Sequence, residues 1–135
     1  MSNLDLARGL YDAFGRGDLD AVRAGMAADV RWVEPESLPY GAQVGFDAIL
    51  QNILAVALAQ VEGFATRPEE WIDGGDVVVV LGRYAGRSVV TGLDLDVAFA
   101  HVLRFNEGLL TEFCVHADTH RWLQLTGDPA VVASG

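Results

Sequence analysis

What most constrains the fold is a change of character near Gly63: the chain before it is mostly patterned for helices, and the chain after it for strands. Phe64 to Ile72, Val77 to Val90, Leu95 to Phe105 and Leu109 to Ala117 are rich in β-branched and aromatic residues. Asp73-Gly74-Gly75-Asp76 and Asn106-Glu107-Gly108 punctuate them as turns. Upstream, Ser2 is placed to cap a first helix, with Asp5 three residues on completing a capping box. Leu4, Ala7, Tyr11 and Phe14 then recur at helical spacing, and Gly17 is a natural stop. Asp18 opens a short second helix to about Met26, and a strand centred on Trp32 follows. After a Pro39-Tyr40-Gly41 loop, a third helix is expected from Phe46 to Val61, burying Ile49, Leu50, Ile53, Leu54, Ala57 and Val61, with Gly63 ending it. Asp118 is a candidate cap for a final helical turn through Leu125. Helices first and meandering strands afterwards predict a single α+β domain over 1–135, its helices on one face of a strongly curved antiparallel sheet.

The bulk numbers narrow the possible partners. A formal charge of −10 repels phosphate backbones, and no basic stripe offsets it, which argues against nucleic acid. Half the chain is apolar, yet no run approaches the ~18 residues of a membrane span, and the opening residues lack the order of a secretory signal. A single cysteine, Cys114, leaves no internal disulfide and suits a reducing, cytoplasmic setting.

One acidic residue points to chemistry. In Asp29-Val30-Arg31-Trp32-Val33-Glu34-Pro35, strand alternation sends Val30, Trp32 and Glu34 to one face and Arg31 to the other. Glu34 is then either a charge at the rim or an acid placed in an apolar chamber, where proton transfer becomes possible. The hairpin at Asn106 to Gly108 decides what else faces that chamber. A two-residue turn pairs His101 with Cys114, and brings His116 and Asp118 near it. A three-residue turn with left-handed Gly108 pairs His101 with Phe113. The second register is preferred, because it separates Val97, Phe99, His101, Leu103, Phe113, Val115 and Ala117 from Arg104, Glu112, His116 and Asp118. His101 then either looks into the chamber with Trp32 and Glu34 or is a core histidine bonded to a backbone carbonyl.

With these segments in place, the chain resembles the SnoaL-like branch of the nuclear-transport-factor-2-like superfamily. Three stretches carry the resemblance: Tyr11-Asp12-Ala13-Phe14-Gly15-Arg16-Gly17-Asp18, Asp29 to Pro35, and Ala100-His101-Val102-Leu103-Arg104-Phe105. The resemblance implies a cone-shaped chamber closed by helices, commonly in homodimers, and enzymes such as ketosteroid isomerases, polyketide cyclases and epoxide hydrolases. It implies a general-base carboxylate just before a proline, where Glu34 stands, and a protonated acid on the strand before the hairpin, two residues ahead of Leu103-Arg104-Phe105, a place that His101 occupies here. A third group, a tyrosine hydroxyl on the first helix, aligns with Leu10 rather than Tyr11 and is expected to be absent. The acidic residue that hydrolases and cyclases carry on the last strand aligns with Val115. Asp118 is expected to be a helix cap or an interface residue.

Two functions follow. In the first, Glu34 removes a proton beside a carbonyl and His101 hydrogen-bonds the developing enolate. Trp32, Tyr84, Phe99, Phe113 and Val115 hold the hydrophobic substrate, and no cofactor takes part. In the second, the same chamber binds a hydrophobic metabolite without changing it. A metal site is a weaker idea: along a strand the ends of His116, Asp118 and His120 would lie ~13 Å apart at about 3.3 Å per residue, too far for one ion. Two of them, with Glu112, would be needed.

Overall fold

The computed structural model describes residues 1–127; the end of the domain expected over 1–135 lies outside the described residues. Helix α1 (Asn3–Gly15) opens on the expected capping box: the Asp5 N–H donates to Ser2 Oγ at 3.1 Å, and the Ser2 N–H donates to the Asp5 carboxylate at 3.3 Å. Helix α2 (Leu19–Ala24) starts at Asp18, whose carboxylate accepts from the Ala21 N–H. It stops earlier than expected, because Met26 already begins β1 (Met26–Val33). A short β2 (Ala42–Val44) pairs antiparallel with β1 inside the segment expected to be loop.

The next helical run, 46–60, has three parts: α3 (Phe46–Ile49), a π-helical turn (Leu50–Leu54) and α4 (Ala55–Gln60). In the wide turn the Ala55 N–H reaches back to the Leu50 carbonyl, five residues away. Gly63 is not the helix stop. Val61 turns extended at φ −129°, ψ 114°, and the chain passes directly into β3 (Val61–Asp73). Gly63 instead sits at a register shift within that strand.

Strands β4 (Val77–Ser88), β5 (Asp94–Asn106) and β6 (Leu109–Ala117) complete a six-stranded, unclosed sheet ordered β2-β1-β6-β5-β4-β3, and α5 (Thr119–Thr126) follows. Every pairing is antiparallel except β1 with β6, which is parallel and joins the early strand to the last one. The core lies between the sheet's inner face and the helices, with Val30, Val78, Val80, Val97, Leu103 and Leu110 fully buried.

The hairpin between β5 and β6 departs from both expected registers. Its turn has two residues, with Glu107 at φ 51° and Gly108 at φ 78°, and Asn106 pairs with Leu109. A bulge at Thr111 then shifts the register, so that Arg104 faces Glu112 and His101 faces Val115 rather than Phe113 or Cys114. The extra residue lies in the strand instead of the turn. Parity is the same either way, so Val97, Phe99, His101, Leu103, Phe113 and Val115 are buried together, as the preferred register predicted.

Candidate functional site

Between the helices and the inner face of the sheet lies a cavity of about 100 Å³, lined largely by apolar and aromatic side chains. One cavity-lining water needs only about 10–15 Å³ on the same kind of measure, so a small organic molecule is the appropriate scale. Of the seven residues singled out from sequence, Glu34, His101, Trp32, Tyr84, Phe113 and Val115 all line it. Phe99 does not. Its ring stacks on His101, with centroids 3.9 Å apart and planes 9° off parallel, so it supports the imidazole from outside the cavity. Gly82 makes room for it: a Cβ there would lie 2.6 Å from Phe99 Cζ and 2.4 Å from the Arg67 carbonyl oxygen.

Glu34 follows the last residue of β1, and its backbone N–H donates to the Gly41 carbonyl. Trp32 precedes it by two residues on the same face, and the indole Nε1–H donates to Glu34 Oε1 at 2.9 Å. Burial pushes the Glu34 carboxyl above its ordinary value, while the Trp32 hydrogen bond holds it partly back. The Trp32 ring in turn stacks on Phe113 at 3.9 Å, its register partner across the parallel β1–β6 pair. The carboxylate is therefore anchored to a rigid aromatic wall.

His101 is 2% exposed and, among the described residues, bonded to no backbone carbonyl. Its Nδ1 lies 2.5 Å from the Tyr11 hydroxyl and its Nε2 lies 2.6 Å from the Tyr84 hydroxyl. Burial drives the imidazole well below its ordinary value, with the neighbouring His116 adding to the effect, so the ring is neutral near pH 7. Burial likewise pushes both tyrosines up, and the Glu34 charge adds to the shift of Tyr84. The expectation that no tyrosine of the first helix reaches the site is overturned: Tyr11 lines the cavity and holds His101. The signal was present in the helical spacing of Leu4, Ala7, Tyr11 and Phe14, which puts Tyr11 on the buried side of α1.

One further group was missed. Tyr40, from the loop before β2, donates to Gln60 Oε1 at 2.9 Å and accepts from Trp122 Nε1–H at 3.3 Å. This bond set ties the loop to the end of α4 and to α5 across the cavity, and no periodic pattern announces it. Asp118 caps α5 by accepting from the Arg121 N–H, as expected, and does not enter the cavity lining. Among the described residues, no three His, Cys, Asp or Glu side chains gather as a metal ion would require.

A curved, unclosed sheet packed with N-terminal helices, with a carboxylate and a Tyr-His-Tyr cluster in the wall of an apolar cavity, defines a domain of the nuclear-transport-factor-2-like fold. The chain belongs to the SnoaL-like domain family, whose sequence profile matches residues 7–113. It is similar to an NTF2-like protein of unknown function from Burkholderia pseudomallei K96243, at 35% identity over 94% of this chain and 99% of that one, with a TM-score of 0.85. An NTF2-like protein from Burkholderia thailandensis E264 is 26% identical over 93% of this chain and 97% of its own, with a TM-score of 0.87. TerC, crystallised with polyporic acid, is 28% identical over 92% and 97%, with a TM-score of 0.83. Among curated proteins, none matches the chain.

Proposed function

We propose that this chain is a small-molecule enzyme of the ketosteroid isomerase or SnoaL-like type that moves a proton beside a carbonyl of a hydrophobic substrate. The observation that carries the reading is Glu34: a carboxylate whose pKa is raised by burial, in the wall of the same apolar cavity as a neutral, hydrogen-bonding Tyr-His-Tyr cluster. Raising the pKa brings the base closer to the working pH, where proton abstraction is most efficient. The carboxylate takes the proton from the carbon next to the carbonyl. The C–H electron pair moves into an enolate, and the oxygen's growing charge meets a polar hydrogen of the cluster. Glu34 then returns the proton to the same carbon or to a conjugated one. No cofactor enters this cycle. Trp32, Tyr84, Phe113 and Val115 supply the apolar walls, and the relative TerC, crystallised with polyporic acid, supports an organic ligand in such a chamber.

The test is proton exchange. In D₂O, 2-acetonaphthone and 2-tetralone are followed by ¹H NMR with and without the protein. Exchange beside the carbonyl is expected, falling by about 10²–10⁴ in Glu34→Gln, the range for loss of a general base. Exchange unaffected by that substitution would remove Glu34 as the base. Ketone binding without exchange would favour the binding-domain reading.

The same proposal includes a homodimer formed through the face of the sheet turned away from the cavity. The single free Cys114 suits a reducing compartment, and we place the protein in the cytoplasm on that ground.

A further inference from the structure

We infer that Tyr84, rather than His101 or Tyr11, donates the hydrogen bond to the oxygen of a bound ligand, and that His101 is held as its Nε2–H tautomer to free that hydroxyl. The need for an oxygen-bearing ligand rests on the proton-transfer reading; the tautomer does not.

The cluster has more polar hydrogens than internal contacts to use them. A neutral imidazole has one N–H and one nitrogen lone pair, and each phenol has one O–H. The cluster therefore holds three polar hydrogens. It has two contacts in which to use them, Tyr11 to Nδ1 and Tyr84 to Nε2. Whichever tautomer is present, one phenol donates to the ring and the other accepts from it. The accepting phenol keeps its own hydrogen. Among the described residues neither hydroxyl has a side-chain partner other than His101, and both tyrosines line the cavity. The third hydrogen is thus left for whatever occupies that space. His101 itself has none to give, because both its nitrogens are taken.

Two observations choose Tyr84. Burial is the main cause of the upward shift of both hydroxyls, and at Tyr84 the Glu34 carboxylate and Tyr11 add to it. A negative charge across the cavity favours the arrangement that points a positive phenol hydrogen toward it. Tyr84 is also the more buried of the two, at 9% exposure, with its ring against Phe64, Phe99 and Trp122 at centroid distances of 5.5, 4.6 and 5.6 Å, whereas Tyr11 is half-buried against Trp71 and Phe113. In this arrangement the Tyr11 O–H donates to Nδ1, Nε2–H donates to the Tyr84 oxygen, and the Tyr84 O–H faces the cavity. The ligand atom placed there must be an acceptor, such as a ketone or enolate oxygen; an ammonium or amide N–H would meet a donor head-on. Phe99, parallel to the imidazole at 3.9 Å, is the positioning residue that keeps both ring nitrogens aimed at their tyrosines.

The measurement is ¹⁵N NMR of histidine-labelled, ligand-free protein, with His116→Gln and His120→Gln variants assigning the other two imidazoles. His101 is expected to stay neutral from pH 6 to 8 with its proton on Nε2. In Glu34→Gln, the balance should move toward the Nδ1–H form as the orienting charge is removed. A His101 protonated on Nδ1, protonated on both nitrogens or evenly divided would overturn the assignment. So would a tautomer indifferent to Glu34→Gln. Absence of ketone exchange would instead remove the proposed reaction and leave this result standing.

Discussion

Glu34 and His101 carry opposite ionisation problems into the same cavity. Burial raises the Glu34 carboxyl, so the fold favours its protonated form. Its stabilising contribution is fully present below about pH 4.3, the unfolded value, and is lost as pH rises through the folded pKa. Burial lowers His101, so the fold favours its neutral form; that contribution is present above about pH 6.5 and is lost as pH falls. Urea midpoints measured at fixed pH should separate the two. Relative to the parent protein, Glu34→Gln should gain stability between pH 4 and 8. His101→Gln, which keeps a donor and an acceptor between the tyrosines, should lose the fall in stability between pH 7 and 5. Parallel pH curves for parent and variants would mean that neither group is desolvated as described. At this scale, parity made much of the site legible in sequence: Trp32 and Glu34 on one side of a strand, and His101 among apolar neighbours. The partners of His101 were not legible, because Tyr11 and Tyr84 lie 90 and 17 residues away and meet it only when α1 and β4 close on β5.

Strand and helix types followed from local pattern, whereas junctions between them were set by packing. The 46–60 helical run ends at Gln60 although Gly63 offers a stop, because Val61 is needed at once as a buried strand residue, 1% exposed and paired with Ser88. The parallel β1–β6 pairing has no local signature, since 81 residues separate the register partners Trp32 and Phe113, and β6 begins only after the hairpin closes. The hairpin is the sharpest case. Alternation fixed which residues share the buried face, yet it could not say whether the extra residue lay in the turn or at Thr111. That turn also carries a correctable strain. Glu107 is the one non-glycine residue with positive φ among the described residues, at 51°, in a position where type I′ turns favour asparagine or glycine. A side chain such as glutamate costs roughly 1–2 kcal/mol in this region. Glu107→Asn creates the favoured Asn-Gly pair and should stabilise the protein by about 1 kcal/mol, read as a higher urea midpoint with an unchanged slope. No gain, or a changed slope, would show that the turn is not what limits this hairpin.

Across the whole molecule, the face of the sheet opposite the cavity bears a continuous apolar row. Register partners Ile72, Val79, Val102, Cys114, Val33 and Ala42 run in sequence across β3, β4, β5, β6, β1 and β2. A neighbouring row carries Arg104, Glu112, Arg31 and Val44, so charges flank the stripe. Within the row, Ile72 is 43% exposed. The sheet edges are poor alternatives for association: β2 has only three residues, and β3 is broken by a register shift at Pro68. A formal charge of −10 resists nonspecific contact between copies, so self-association needs a surface that buries enough apolar area and pairs its own border charges. The stripe with its alternating arginine and glutamate border meets that need when two copies meet about a two-fold axis. Their cavities then remain on the outside, free to take up ligand independently. Sedimentation equilibrium should give twice the 14.5 kDa chain mass, and the mass should hold as salt is raised if the apolar row carries the contact. Val102→Asp, placed in the middle of the row, should return the single-chain mass with its circular dichroism intact. A parent protein sedimenting as one chain, or a Val102→Asp protein still sedimenting as two, would take the sheet face out of the assembly.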